Sequence, residues 1–151
     1  MAAEAFRTIQ GIYLSKHFPD DALLSALAYI PQAGDIFIAS YPKCGTTWMQ
    51  HIVYNIMVDA EEPREPLDMF VRLPFLEMRG ADCATFAPKP AALKTHLCFH
   101  KIQYSPEAKY IYITRNPYDC CVSFYYHTKN MLLYKFENGY PRGDNPPNLR
   151  I

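Results

Sequence analysis

The chain has 151 residues, half of them apolar, and its 15 basic side chains are balanced by 15 acidic ones. A neutral total argues against a broad nucleic-acid surface, whose affinity comes from many cations placed against phosphates, and no apolar run approaches the ~20 residues that a membrane-spanning helix requires. Met1 to Ser15 carries Glu4 and Arg7 and lacks the continuous apolar core of a signal peptide, so composition predicts a soluble chain.

In chain order, the segment up to about Ile12 predicts an opening strand or a lid, and Asp20 to Ile30 a short helix capped by the acidic pair Asp20-Asp21. Asp35-Ile36-Phe37-Ile38-Ala39-Ser40 is short, apolar and rich in branched or aromatic side chains, as a buried strand should be. Pro42, with no N–H to donate, ends its ladder. Trp48, Ile52 and Ile56, with Met49 and Val53, then recur at helical intervals and predict a helix packing one face on a sheet.

The intervening run Tyr41-Pro42-Lys43-Cys44-Gly45-Thr46-Thr47-Trp48 puts a lysine, a glycine and two hydroxyls where a strand becomes a helix. The first N–H groups of such a helix have no intrahelical acceptor and carry the positive end of its dipole, so an anion fits there. The order is not that of a Walker A loop, because Lys43 precedes Gly45. A solvated turn with an N-capping threonine is the competing reading, and Trp48, the sole tryptophan, reads as either core or a ligand platform.

Glu61 to Pro90 is proline-rich, and Leu67 to Met78 mixes Phe70, Leu73, Phe75 and Leu76 with charge. Ala92 to Leu97 is an apolar approach ending in Lys94 and His96. Lys109 to Thr114 alternates like a strand, and Asn116 as N-cap, Pro117 at the first helical position and Asp119 in the first turn predict a helix. Arg115 ends that strand and Ser123 lies about two turns into the helix, so guanidinium and hydroxyl can converge on a second phosphate. The alternative pairs Arg115 with Asp119 and leaves Ser123 in solvent. From Tyr134 to Ile151 the chain turns polar, with Pro141, Pro146 and Pro147 among glycines.

Two strand-turn-helix units without a repeat predict one α/β domain. In such sheets ligands collect outside the carboxyl ends of the strands, where Lys43, His96 and Arg115 would all lie. His96, Cys98 and His100, with His51 elsewhere, lack the paired second half of a zinc module, so no metal site is expected. The five cysteines, Cys44, Cys83, Cys98, Cys120 and Cys121, have no framework spacing and read as reduced thiols in a cytoplasmic protein. Cys44 beside Lys43 at a helix start is open to oxidation, with a tolerated small residue as the alternative.

Three segments together resemble the cytosolic sulfotransferase family. Its donor loop reads Tyr-Pro-Lys-Ser-Gly-Thr-Thr-Trp, matched by residues 41 to 48 except at Cys44. Its catalytic segment reads Leu-Lys-Thr-His-Leu-Pro, matched by residues 93 to 97 with Cys98 in place of the proline. Its third segment, Arg-Asn-Pro-x-Asp-x-x-Val-Ser-Phe-Tyr-Tyr, is matched from Arg115 to Tyr126.

The resemblance implies an α/β, P-loop-like three-layer fold with a central parallel sheet, of which residues 1–151 would be the N-terminal half, a single partial domain. It implies transfer of a sulfuryl group from 3'-phosphoadenosine 5'-phosphosulfate, without a metal, to a hydroxyl or amine of a small molecule such as a phenol, aryl amine, alcohol or steroid. Lys43, Cys44, Gly45, Thr46 and Thr47 would hold the 5'-phosphosulfate, Arg115 and Ser123 the 3'-phosphate, and Trp48 would stack on adenine. His96 would be the general base, near its ordinary pKa of about 6.5, with Lys43 on the leaving oxygen and Lys94 on the sulfuryl oxygens. Phe18, Phe75, Tyr13 and Phe136 are candidates for an acceptor wall, and a homodimer is implied only for the full-length form. A half sheet would expose an edge strand and apolar faces, so marginal stability and weak donor binding are expected. A catalytically inactive nucleotide-binding partner and a kinase-like phosphoryl transferase are the alternative functions.

Overall fold

The computed structural model describes residues 6–58, 68–89 and 91–130, together with the backbone of two short strands, Phe136–Glu137 and Tyr140–Pro141. The chain opens with a hairpin, β1 (Phe6–Ile9) antiparallel to β2 (Ile12–Ser15), in place of the single strand or lid expected there. Gln10 and Gly11 turn it with φ of 47° and 76°. Two positive values in a two-residue loop match the right-handed twist of the paired strands.

Helix α1 (Asp20–Ala28) stops two residues before the expected end. Pro31 disfavours helical backbone at Ile30, and the Tyr29 N–H closes the last turn on Ala26. Pro19 occupies the capping position without a side-chain hydrogen bond, so Asp20 and Asp21 act through their charge in the first turn. Asp20 is also paired with Arg7 of the hairpin.

Three strands form the central sheet: β3 (Asp35–Ser40), β4 (Ala91–Thr95) and β5 (Lys109–Ile113), all parallel, in the order β4-β3-β5. Side chains alternate across β3 and so feed two cores. Phe37 and Leu93 pack with Leu23 and Ala26 of α1, Leu76 of α4 (Leu76–Arg79) and Ala84 of α5 (Asp82–Thr85). On the opposite face, Ile38 and Ala92 pack with Val53 and Tyr54 of α2 (Thr46–Met57) and Met69 of α3 (Asp68–Arg72). Helices thus cover both faces of a parallel sheet, the three-layer α/β arrangement expected. Asp35, fully buried at the start of β3, is anchored by the Tyr29 hydroxyl and the Gln32 N–H, both at 2.7 Å, and by Lys89.

One expectation about α2 is corrected. Its buried side is Thr46, Gln50, Val53 and Tyr54, with Met49 and Met57 partly covered. Trp48 and Ile56 are 73 % and 78 % exposed, so the Trp48-Ile52-Ile56 ridge faces away from the sheet. The helix is apolar on two sides, and period alone cannot tell which side meets the sheet. Helix α6 (Pro117–Asn130) begins as expected, the Tyr118 N–H donating to the Asn116 side chain at 2.9 Å. No helix of the described residues is long and apolar enough to cross a membrane.

Candidate active site

Lys43, His96 and Arg115 follow the carboxyl ends of β3, β4 and β5, and the register aligns those ends: Ala39 pairs with Thr95, and Ser40 with Ile113. The three segments singled out by sequence therefore meet along one edge of the sheet.

The loop after β3 needs two residues in the left-handed region, Lys43 at φ 69° and Gly45 at φ 102°. Glycine adopts that backbone freely, whereas lysine there is held by its surroundings. Part of that hold is visible: the Cys44 N–H turns back to the Tyr41 carbonyl at 3.3 Å, and Arg115 Nη1 donates to the Lys43 carbonyl at 3.2 Å. Gly45 precedes the first residue of α2, and a Cβ placed on it would meet nothing within 4 Å. The mouth of the loop is open at the helix start, where amides have no intrahelical partner, so the loop fits a phosphate-like group.

The hydroxyls divide their labour. Thr46 Oγ1 is buried against Ser40 Oγ at 2.5 Å, tying the end of β3 to the start of α2. Its backbone N–H, not its hydroxyl, is what it can offer an anion. Thr47 instead lines the cavity beside the loop. Trp48 projects into solvent, which removes the core reading of this residue and leaves a face on which a flat ring can stack. Arg115 turns to the loop, the alternative to pairing with Asp119, and Ser123 is half-buried on α6.

His96 is fixed from two directions. Its Nδ1 lies 2.8 Å from the Ser40 carbonyl, which only accepts, so the neutral ring carries its hydrogen there and keeps a lone pair on Nε2. Phe75 meets the ring edge-to-face at 5.1 Å, and Lys94 Nζ sits 4.2 Å from the centre of the Phe75 ring. Burial holds the imidazole neutral, its pKa pushed down to about 4, with Lys94 adding to that effect and the Ser40 bond opposing it. This corrects the expectation of an ordinary histidine value. Burial likewise lowers the Lys94 ammonium, with Glu77 opposing the shift and Lys43 reinforcing it.

Sequence reasoning missed Glu77. Its Oε1 accepts from the His96 backbone N–H at 2.5 Å and from the Thr95 hydroxyl at 3.0 Å, while the Thr95 hydroxyl in turn accepts from the Leu97 N–H at 3.1 Å. Oε2 is buried with no hydrogen-bond partner, and burial drives the carboxyl up to about 7 despite those donors. An unpartnered Oε2 favours the neutral form, because a neutral carboxyl is far cheaper to bury than a carboxylate. The only hint in the sequence was an acid directly after Phe75-Leu76.

A cavity of about 350 Å³ opens beside this cluster, lined among others by Thr47, Gln50, Phe70, Val71, Phe75 and Lys94. Gln50, also missed, is held by a bond from Nε2 to the Leu73 carbonyl at 3.1 Å. Of the acceptor-wall candidates, Phe75 lines the cavity and Phe18 meets Phe75 edge-on at 5.5 Å. Tyr13 stacks on Phe6 in the hairpin instead, and the side chain of Phe136 lies outside the described residues. Among the described residues no three His, Cys, Asp or Glu side chains come together as a metal site; Cys98 Sγ and His100 Nε2 lie 3.5 Å apart.

An open glycine loop at a helix start, on the carboxyl edge of a parallel sheet, defines an α/β protein of the P-loop-like class. The sulfotransferase domain model matches residues 33–142, and the chain belongs to that family. Sulfotransferase 1E1 of Homo sapiens is 37 % identical over 134 residues, 82 % of this chain and 45 % of the relative. Sulfotransferase 1A1 of Canis lupus familiaris is 34 % identical over 128 residues, 78 % of this chain and 43 % of the relative. The crystal structure of mouse sulfotransferase SULT7A1 complexed with PAP superposes with a TM-score of 0.68 at 23 % identity, covering 90 % of this chain and 49 % of that one. The chain thus spans under half the length of these curated relatives.

Proposed function

We propose that residues 1–151 are one partial sulfotransferase domain carrying the donor site and the base of a sulfuryl transfer. The donor is 3'-phosphoadenosine 5'-phosphosulfate, and the acceptor is a hydroxyl or amine of a small aromatic or steroid-like molecule. The observation that carries this reading is the placement of His96, with Nδ1 committed to Ser40 and Nε2 free to take a proton, on the same sheet edge as the anion loop.

Gly45, Thr46 and Thr47 offer backbone amides to the 5'-phosphosulfate, with Lys43 and Cys44 completing the loop. Arg115 and Ser123 hold the 3'-phosphate and Trp48 stacks on adenine. The acceptor enters the cavity against Phe75. Its oxygen or nitrogen bonds to sulfur as His96 Nε2 takes its proton, and the bond from sulfur to the bridging oxygen breaks. Lys43 stabilises the charge that gathers on that leaving oxygen, and Lys94 steadies the sulfuryl oxygens. Positioning and fixed charge supply most of the rate, as in phosphoryl transfer. The phosphosulfate also brings negative charge beside His96, favouring its protonated form, so the imidazole becomes a better base with the donor in place.

Small molecules, not nucleic acids or membranes, are the partners in this reading; the location is the cytoplasm, and a homodimer belongs to longer forms. Transfer of labelled sulfate to a pool of phenols, aryl amines and steroids, with and without magnesium, tests it. Labelled product without magnesium is expected. Consumption of ATP without sulfate transfer would establish a phosphoryl transferase instead, and donor-product binding without any turnover an inactive partner.

A further inference from the structure

Two of the free cysteines meet at the donor loop. Cys44 Sγ, in the loop, lies 3.7 Å from Cys120 Sγ, on the first turns of α6, although 76 residues separate them in sequence. Cys120 is buried and its thiol donates to the Pro42 carbonyl at 3.1 Å, so both ends of the contact belong to the loop and its support. We propose that Cys44 and Cys120 are an oxidative modification site, a reversible disulfide that ties the donor loop to α6 and weakens donor binding. The second part rests on the donor site proposed above.

The geometry gives the direction. A disulfide holds its sulfurs about 2.0 Å apart, so they must approach by roughly 1.7 Å. Cys120 sits inside a helix, whereas Cys44 sits between two left-handed residues, Lys43 and Gly45. The loop is the part that yields. Its shift draws the Lys43 carbonyl off Arg115 and moves the Gly45 and Thr46 amides from the positions an anion requires.

The chemistry needs a two-electron oxidant, for which a hydroperoxide suffices. Cys44 is only half-buried, so it is the thiol a peroxide reaches, and it reacts as its thiolate. The thiolate takes one peroxide oxygen, the O–O bond breaks and hydroxide leaves. Cys120 Sγ then bonds to the Cys44 sulfur, the S–O bond breaks, and water departs with the Cys120 proton. Cys120 is buried, and burial followed by its contact with Cys44 raises its thiol, so Cys120 serves as the resolving thiol and not as the site first oxidised.

Treatment of the chain with hydrogen peroxide, followed by peptide mapping and calorimetric titration with 3'-phosphoadenosine 5'-phosphate, tests both parts. A link mapping to Cys44 and Cys120, with affinity lowered about tenfold and restored by dithiothreitol, is expected. Cys121→Ala should still form the link and Cys120→Ala should not. A link to Cys83, Cys98 or Cys121, or oxidation of Cys44 without a link, would overturn the site. A correct link with unchanged affinity would overturn the effect on the donor. If the reduced chain binds no nucleotide, the donor reading fails, while mapping still decides the disulfide.

Discussion

Replacing Glu77 with glutamine should change how stability depends on pH. Glu77 is raised from 4.5 to about 7 by burial, a shift worth about 3–4 kcal/mol at ~1.4 kcal/mol per unit. A carboxyl raised on folding adds stability below its unfolded value of 4.5, and that contribution is lost as pH rises through about 7. The glutamine side chain of Glu77→Gln keeps an acceptor for the His96 N–H and the Thr95 hydroxyl but cannot ionise. Its amide leaves donors where Oε2 now lies, which costs about 1–3 kcal/mol at every pH and cancels in a comparison across pH. The stability of Glu77→Gln relative to the parent should therefore rise by about 2–3 kcal/mol between pH 5 and pH 8. Urea unfolding followed by circular dichroism at both pH values measures this double difference. The same difference at pH 5 and pH 8 would refute the protonated, buried carboxyl.

Three further outcomes follow from the site. His96→Ala should cut turnover by about 10²–10⁴ while affinity for the donor product stays within a few-fold; Arg115→Ala should instead weaken that affinity by about 10–100-fold, and equal binding losses in both would contradict the roles. Gly45→Ala puts a side chain at φ 102° on the open side of the loop, so calorimetry should show weakened donor-product binding together with a stability loss of about 1–2 kcal/mol. Trp48, Ile56, Phe70, Val71 and Tyr112 are each at least half exposed, so the isolated chain should melt broadly and aggregate on heating. A sharp reversible melt, with protection by micromolar donor product, would refute that.

The strand ends were legible because their signals are local. Proline at position 42, glycine at 45 and the Asn116-Pro117 pair each dictate backbone over two or three residues, and they put Lys43 and Arg115 where the folded chain has them. Signals that depend on distant packing were not legible. The outward side of α2 looked like its packing side because both carry apolar residues. Glu77 carried no local signal because its partners, Thr95 and His96, lie 18 and 19 residues away in sequence. The depressed pKa of His96 comes from burial that no spacing records. The contact between Cys44 and Cys120 exists only once α6 docks on the loop.

Glu77 and His96 also balance each other. His96 falls from 6.5 to about 4 on folding, so its contribution is present above 6.5 and lost as pH falls through about 4; that of Glu77 runs the opposite way over nearly the same interval. Near pH 5.5 the unfolded chain holds a proton on the histidine and the folded chain holds one on the glutamate, so folding exchanges the site and not the number of protons. The two slopes therefore oppose each other. The chain can then bury a neutral imidazole beside Lys94 with less dependence of its stability on mild acid. Removing the glutamate exposes the histidine's slope, so Glu77→Gln should lose stability on acidification from pH 6.5 toward 4 more steeply than the parent does.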